Sequence, residues 1–152
     1  MKLFRASVLF FVTVTAVFGC TTPPKPYQSK LDPLALQQMQ TQDFETSKKI
    51  LFASVISVFQ DTGFVIEAAD LETGVITSKS ATVTNQSYGI GYIYSVAVRA
   101  TAFVEETRAN HAKARLNYLE SRIQSTVYGA GSPNDIPNED PAYYEKIFNK
   151  IR

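Results

Sequence analysis

"YIYSVAVRATAFVEETRANHAKARLNY", residues 92 to 118, carries the clearest periodicity in the chain. Tyr92, Tyr94, Val96, Val98, Ala100, Ala102 and Val104 alternate with Ile93, Ser95, Ala97, Arg99, Thr101, Phe103 and Glu105. That two-residue period predicts a long strand with its even-numbered face in a core. Ala112, Ala114, Leu116 and Tyr118 keep the same parity against His111, Lys113, Arg115 and Asn117. A turn at Thr107-Arg108-Ala109 then makes an antiparallel hairpin, with Val104 beside Ala112, Ala102 beside Ala114 and Val98 beside Tyr118. The same register sets Glu105 beside His111 and Thr101 beside Arg115 on a solvated outer face.

After Tyr118 the parity flips, because Leu119 and Ile123 are odd. With no register change they line up with Ala97 and Ile93 on the outer face. A bulge near Tyr118 to Glu120 would return them to the core, and it is the expectation, since exposed apolar patches are uncommon on single domains.

Working outward, Leu51, Phe52, Val55, Ile56, Val58 and Phe59 fall on one wide helical face, with Thr46 or Ser47 as cap and Gly63 suited to the left-handed position after the last turn. Residues 38 to 44 form a short extended candidate, and residues 64 to 68 and 75 to 82 read as strands around the turn Asp70 to Gly74. Gly129 to Asn138 reads as a loop. Asp140 then caps a last helix with Pro141 in its first turn and a stripe of Tyr144, Ile147, Phe148 and Ile151. The expected fold is a two-layer α+β domain: an antiparallel sheet of about four to five strands with helices packed on one face, in a helix-grip-like layout.

The N-terminus decides where the domain works. A basic start with Lys2 and Arg5 leads into an apolar run from Val8 to Phe18, too short to span a bilayer comfortably, and Gly19 precedes Cys20, the only cysteine. A catalytic thiol at Cys20 lacks a companion base, since His111, the only histidine, sits in a strand-like segment; a disulfide lacks a second cysteine. A buried core cysteine is at odds with the basic flank before the run and Thr21-Thr22-Pro23-Pro24-Lys25-Pro26 after it. "VFGC" resembles a bacterial lipobox, although Val17 and Phe18 stand where Leu and a small residue are usual. The resemblance implies residues 1–19 as signal peptide, diacylglyceryl attachment at Cys20, residues 20–37 as the lipidated N-terminus with a semi-extended tether, and residues 38–152 as the periplasmic domain. Thr21 in place of Asp implies, by the Gram-negative sorting rule, export to the outer membrane. Acyl chains of this kind supply more than the two lipid signals that stable attachment needs, each buried methylene adding about 0.8 kcal/mol. No second apolar stretch is long enough to cross a membrane.

The full chain of 152 residues has 15 basic and 14 acidic side chains; loss of Lys2 and Arg5 with the signal leaves 13 against 14. A net charge of about −1 gives no composition-level case for nucleic acid.

"TQDFETSKKILFASVISVFQDTGFVIEAADLETGVITSKS", residues 41 to 80, resembles a group of poorly characterised Gram-negative lipoproteins. Its carriers here are Phe44 to Ser47, Gln60 to Phe64, Ala69-Asp70 and Gly74 to Thr77; elsewhere the likeness is of layout alone. The layout is also similar to helix-grip domains of an accessory lipoprotein of the outer-membrane barrel-assembly machine, a likeness of architecture that transfers no function.

Reactive constellations are absent from the sequence. Tyr88-Gly89-Ile90-Gly91-Tyr92 runs into a strand, whereas a phosphate loop opens a helix. Glu105 and Glu106 point to opposite strand faces, Asp140 is used as a cap, and Asp70 with Glu72 as turn residues. No acidic cluster has calcium-loop spacing and a lone His111 makes no zinc site, so no metal, cofactor or catalysis is expected. The leading expectation is a non-enzymatic accessory or scaffold that is held on the membrane through Cys20 and binds another cell-envelope protein of assembly, secretion or transport machinery. Its candidate contact is Ile93, Ala97, Leu119 and Ile123, provided the register is unbulged. The alternative is a carrier or sensor of an apolar ligand such as a lipid, in a groove lined by Phe52, Ile56, Tyr92, Tyr94 and Val96. Partner identity, pathway and oligomeric state stay open.

Overall fold

Two long strands, β5 (Tyr92–Arg108) and β6 (His111–Thr126), form the antiparallel hairpin on which the other elements are laid. The computed structural model describes Tyr27 and residues 29–87, 92–126, 129 and 131–152; the expected signal peptide, Cys20 and the glycine stretch from Tyr88 to Gly91 lie outside these. The predicted alternation is present, but Val104 pairs with Ala114, Ala102 with Leu116 and Ala100 with Tyr118, two residues from the expected register. The chain turns at Ala109 and Asn110, with Asn110 at φ 57°, rather than at Thr107 to Ala109. Asparagine is among the few side chains that tolerate this left-handed backbone. A shift of two leaves each side chain on its predicted face. It does change neighbours: Glu105 meets Lys113 instead of His111, and Arg115 faces Phe103 instead of Thr101.

The bulge expected near Tyr118 to Glu120 is not there. Pairing runs unbroken from Tyr92 with Thr126 to Glu106 with Ala112, and the one irregularity falls between Glu106 and Arg108. The reason lies in a strand that the sequence reading took for a loop. β7 (Pro133–Pro137) pairs with Leu119 to Ile123 of β6, setting Pro137 beside Leu119 and Pro133 beside Ile123. Both odd side chains are thereby half-buried without a change of register.

The sheet has seven strands, more than the four to five expected. On the turn side of the hairpin the order is β1 (Thr41–Phe44), β6, β5, β3 (Val75–Ser80), β2 (Phe64–Asp70); beyond them β4 (Val83–Ser87) pairs with β5, and β7 with β6. Between the flanking strands, single contacts continue the cover of the long strands. Leu116 N–H donates to Gln40 O at 2.8 Å, Asn138 N–H to Tyr118 O at 2.8 Å, Val104 N–H to Gly74 O at 2.8 Å and Val98 N–H to the Ser80 hydroxyl at 2.9 Å. These spare the central hairpin the cost of unpaired backbone groups.

The span read as a tether also holds a helix, α1 (Pro33–Met39), capped by Asp32 with Pro33 opening it. The Asp-Pro signal is the one recognised at Asp140-Pro141, hidden here among other prolines.

α2 (Lys48–Asp61) and α3 (Pro141–Ile151) form the second layer. The Ser47 side chain accepts from Ile50 N–H, and Asp140 Oδ1 from Ala142 N–H at 3.0 Å, so both predicted caps are in place. Leu51, Phe52, Val55, Val58 and Phe59 of α2 and the whole α3 stripe are buried on the even face of the hairpin. Ala100, Ala102, Ala112 and Ala114 are buried there too, and their small side chains leave room for the helix aromatics. Burial of each large side chain contributes roughly 1.5–3 kcal/mol. Lys48 Nζ donates to Glu72 O at 2.9 Å at the β2–β3 turn, while Phe59 at the other end packs on Phe64 and Tyr118 with ring centroids at 5.9 and 6.1 Å. α2 therefore ends at mid-hairpin, and the even side chains from Tyr92 to Val96 lie beyond it.

Candidate functional site

The unbulged pairing brings the four predicted contact residues to the odd face, opposite α2, as diagonal neighbours rather than directly opposite one another as expected. Arg99 faces Leu119, Ala97 faces Ser121, Ser95 faces Ile123 and Ile93 faces Ser125. Leu119, Ala97, Ile123 and Ile93 accordingly alternate between the two strands as a zigzag of diagonal neighbours along the hairpin, at the cross-strand spacings that bring long side chains together. Ala97 is buried at 8% exposure although no helix lies above it; the other three are half-buried.

The zigzag runs into a groove of about 450 Å³ that the sequence reading missed, lined by Leu36 of α1, Val75 of β3, Phe103 of β5, Leu119 and Pro137. Val75 pairs with Phe103, and they are 41% and 42% exposed, large side chains for an open sheet face. The signal for Phe103 was present in its odd parity. Val75, Leu36 and Pro137 could not be placed without the β3 register, α1 and β7.

Cations border this apolar band. Lys79 pairs with Arg99, and Arg115 stands opposite Phe103. Among the described residues the ion pairs are Lys113 with Glu105, at 2.6 Å, and Arg122 with Glu120; neither engages Lys79, Arg99 or Arg115. The Glu105 hydrogen bond holds the Lys113 ammonium above its ordinary range.

The apolar-ligand groove expected from Phe52, Ile56, Tyr92, Tyr94 and Val96 is not assembled. Phe52 is in the core and Ile56 packs against it. Tyr94, 42% exposed, lies six residues beyond Ala100 along β5, roughly 20 Å at the rise of a strand, on the part of the sheet that α2 does not reach. Tyr92 and Tyr94 instead pack on each other with centroids at 6.4 Å, and Val96 pairs with Val83. Sequence periodicity gave the common face but not the point along it where the helix stops.

A different cleft, of about 580 Å³, lies on the helix side between Val98, Ile136 and Tyr143, with Glu120, Glu139 and Asp140 at its rim. Tyr118 at its floor is 1% exposed, and its ring meets Tyr143 edge-on at 4.9 Å and Tyr144 at 5.7 Å. Its hydroxyl has no hydrogen-bond partner among the described residues. Burial pushes the phenol far up, so it stays neutral. Tyr144 differs: its hydroxyl donates to Asn138 O at 3.1 Å and accepts from Gln40 Nε2 at 3.4 Å.

The chain that arrives from Cys20 meets the domain beside this cleft. The nearby Ser29 hydroxyl, the Lys30 N–H, which donates to Glu139 Oε2 at 3.4 Å, and the Tyr27 hydroxyl hold the carboxylate below the usual range, although Glu139 Oε1 is buried without a hydrogen-bond partner among the described residues. Asp70 is likewise lowered, by the Thr73 hydroxyl and Glu72 N–H within its turn. No group of three His, Cys, Asp or Glu among the described residues could hold a metal ion, and His111 sits at the hairpin turn beside Arg108. Among the described residues no helix is long and apolar enough to cross a membrane. No known family model matches the chain, and no curated protein matches it.

Proposed function

We propose that this chain is an outer-membrane lipoprotein, attached through acyl chains on Cys20 and facing the periplasm, that serves as a non-enzymatic accessory or scaffold for another envelope protein. The observation that supports it is the apolar band of Leu119, Ala97, Ile123 and Ile93 running into the Phe103 groove on the face without α2. Cross-strand contacts within this band already stabilise the hairpin, and an apolar band of this kind on an open sheet face also suits a partner's surface. The layout of helices against one antiparallel sheet is helix-grip-like, which bears on architecture and not on function.

The test is a mild-detergent purification of the full-length protein from membranes, beside Cys20→Ser, with proteins and lipids both identified. A stoichiometric envelope protein that depends on Cys20 is the expected result. Lipid recovered in the absence of any protein would favour a second reading, carriage of an apolar ligand in the cleft at Tyr118, whose unpartnered hydroxyl is the observation behind it.

A further inference from the structure

The partner face is apolar and basic at once, and this combination specifies what it would bind. Lys79 and Arg99 stand directly opposite each other on neighbouring strands, a like-charge arrangement that costs stability where no carboxylate relieves it. Arg115 stands four residues of β6 away from Leu119, the neighbour of Arg99, roughly 13 Å along the strand. The acids that share this face do not relieve them: Glu105 is taken by Lys113, Asp43 pairs in register with Lys113, Asp70 beside Val75 is held by Glu72 N–H and the Thr73 hydroxyl within its own turn, and Asp135 on the outermost strand forms no ion pair with Arg99 among the described residues. Arg115 lines the groove formed by Leu36, Val75, Phe103 and Leu119, while Arg99, opposite Leu119, and Lys79 line the adjoining shallow hollow at Ala97 and Ile123.

Resting on the accessory-protein reading above, we propose that this groove takes an acidic segment of the envelope partner, its apolar side chains seated against Phe103 and Leu119 and its carboxylates on Arg99, Lys79 and Arg115. Guanidinium groups bind carboxylates bidentately and more strongly than neutral donors do, and a partner's carboxylates would relieve the Lys79–Arg99 repulsion on docking. A concave groove of about 450 Å³ admits side chains; a flat anionic bilayer would meet the cations but leave the groove empty.

The experiment places a photoreactive phenylalanine analogue at Leu119 of the full-length protein in intact cells, isolates the adduct after irradiation, and sequences the attached peptide. The same protein is made with Arg99→Glu and Arg115→Glu, and its thermal melting is recorded beside the parent. The expected result is attachment to one periplasmic segment with net negative charge and apolar side chains. The charge-reversed protein, melting as the parent does, should yield adduct reduced by about tenfold or more. Attachment to a neutral or basic segment, or an adduct undiminished by charge reversal, overturns the acidic-segment inference and leaves the partner face standing. Absence of a protein adduct, or attachment to lipid in its place, overturns the partner face as well. Should charge reversal lower the melting temperature, Arg99→Gln with Arg115→Gln is read in its place, and undiminished adduct there also overturns the inference.

Discussion

Gly63 and Gly74 hold similar left-handed backbones, φ 87° and 80°, but differ in what a side chain would meet. A Cβ at Gly63 would point into open space, whereas at Gly74 it would lie 2.0 Å from the Val104 carbonyl oxygen. Gly74 is pinned there because its own carbonyl accepts from Val104 N–H, so β5 cannot retreat. Gly63→Ala is expected to cost about 1 kcal/mol, the backbone penalty alone. Gly74→Ala adds a steric clash and is expected to cost about 2–4 kcal/mol. Midpoints of chemical denaturation would separate them, and equal losses would contradict the close approach of Gly74 to β5. Tyr118→Phe removes a buried hydroxyl without a partner, so stability should hold or rise by up to about 1 kcal/mol. A clear loss would mean that the hydroxyl is satisfied in solution.

At the scale of elements, the legible parts of the fold were those where the signal is local. Ser47, Gly63, Asp140 and the Tyr144 to Ile151 stripe could be read directly, because caps and amphipathic faces depend on residues within a few turns of one another. β4 and β7 were not legible: "VTNQS" is polar, and "PNDIP" carries two prolines that mark loops. Each is held as a strand by antiparallel pairing with the neighbouring long strand, β4 with the start of β5 and β7 with the end of β6, rather than by any strand signal in its own residues. The missed β7 also explains the wrong expectation of a bulge, since its prolines shelter Leu119 and Ile123. The contact band was thus legible residue by residue, but which side of the sheet it lay on was decided by an unread strand. Two results check the face assignment. Leu116→Glu, in the core, should abolish cooperative folding, and Ile93→Glu with Ile123→Glu should leave a cooperative thermal transition. If the double variant fails to fold, both residues belong to the core and the partner face is lost. Asp140→Ala should cost about 1 kcal/mol by uncapping α3.

For the whole molecule, the clasp of Tyr27, Ser29 and Lys30 on Glu139 bears on how the domain would hang from its anchor. Seven residue steps separate Cys20 from Tyr27, a reach of at most about 25 Å, so the proposed lipid on Cys20 would keep the Glu139 corner near the bilayer. The carboxylate of Glu139 is held below its ordinary pKa of about 4.3, so the clasp contributes fully above that pH. Its contribution is lost as pH falls through the depressed folded value. A Glu139 carboxyl carbon resonance followed by NMR should titrate below the ordinary glutamate range, and a midpoint at or above about 4.3 would contradict the clasp.

The central claim is that the sheet face opposite α2 is the working surface of an anchored protein. The most direct measurement is the recovery of the envelope partner from membranes by Ile93→Glu with Ile123→Glu, on protein whose melting shows it folded. The account predicts folded, Cys20-lipidated protein that has lost its partner. Folded variant that retains the partner at the parent's level would place the interface elsewhere and contradict it.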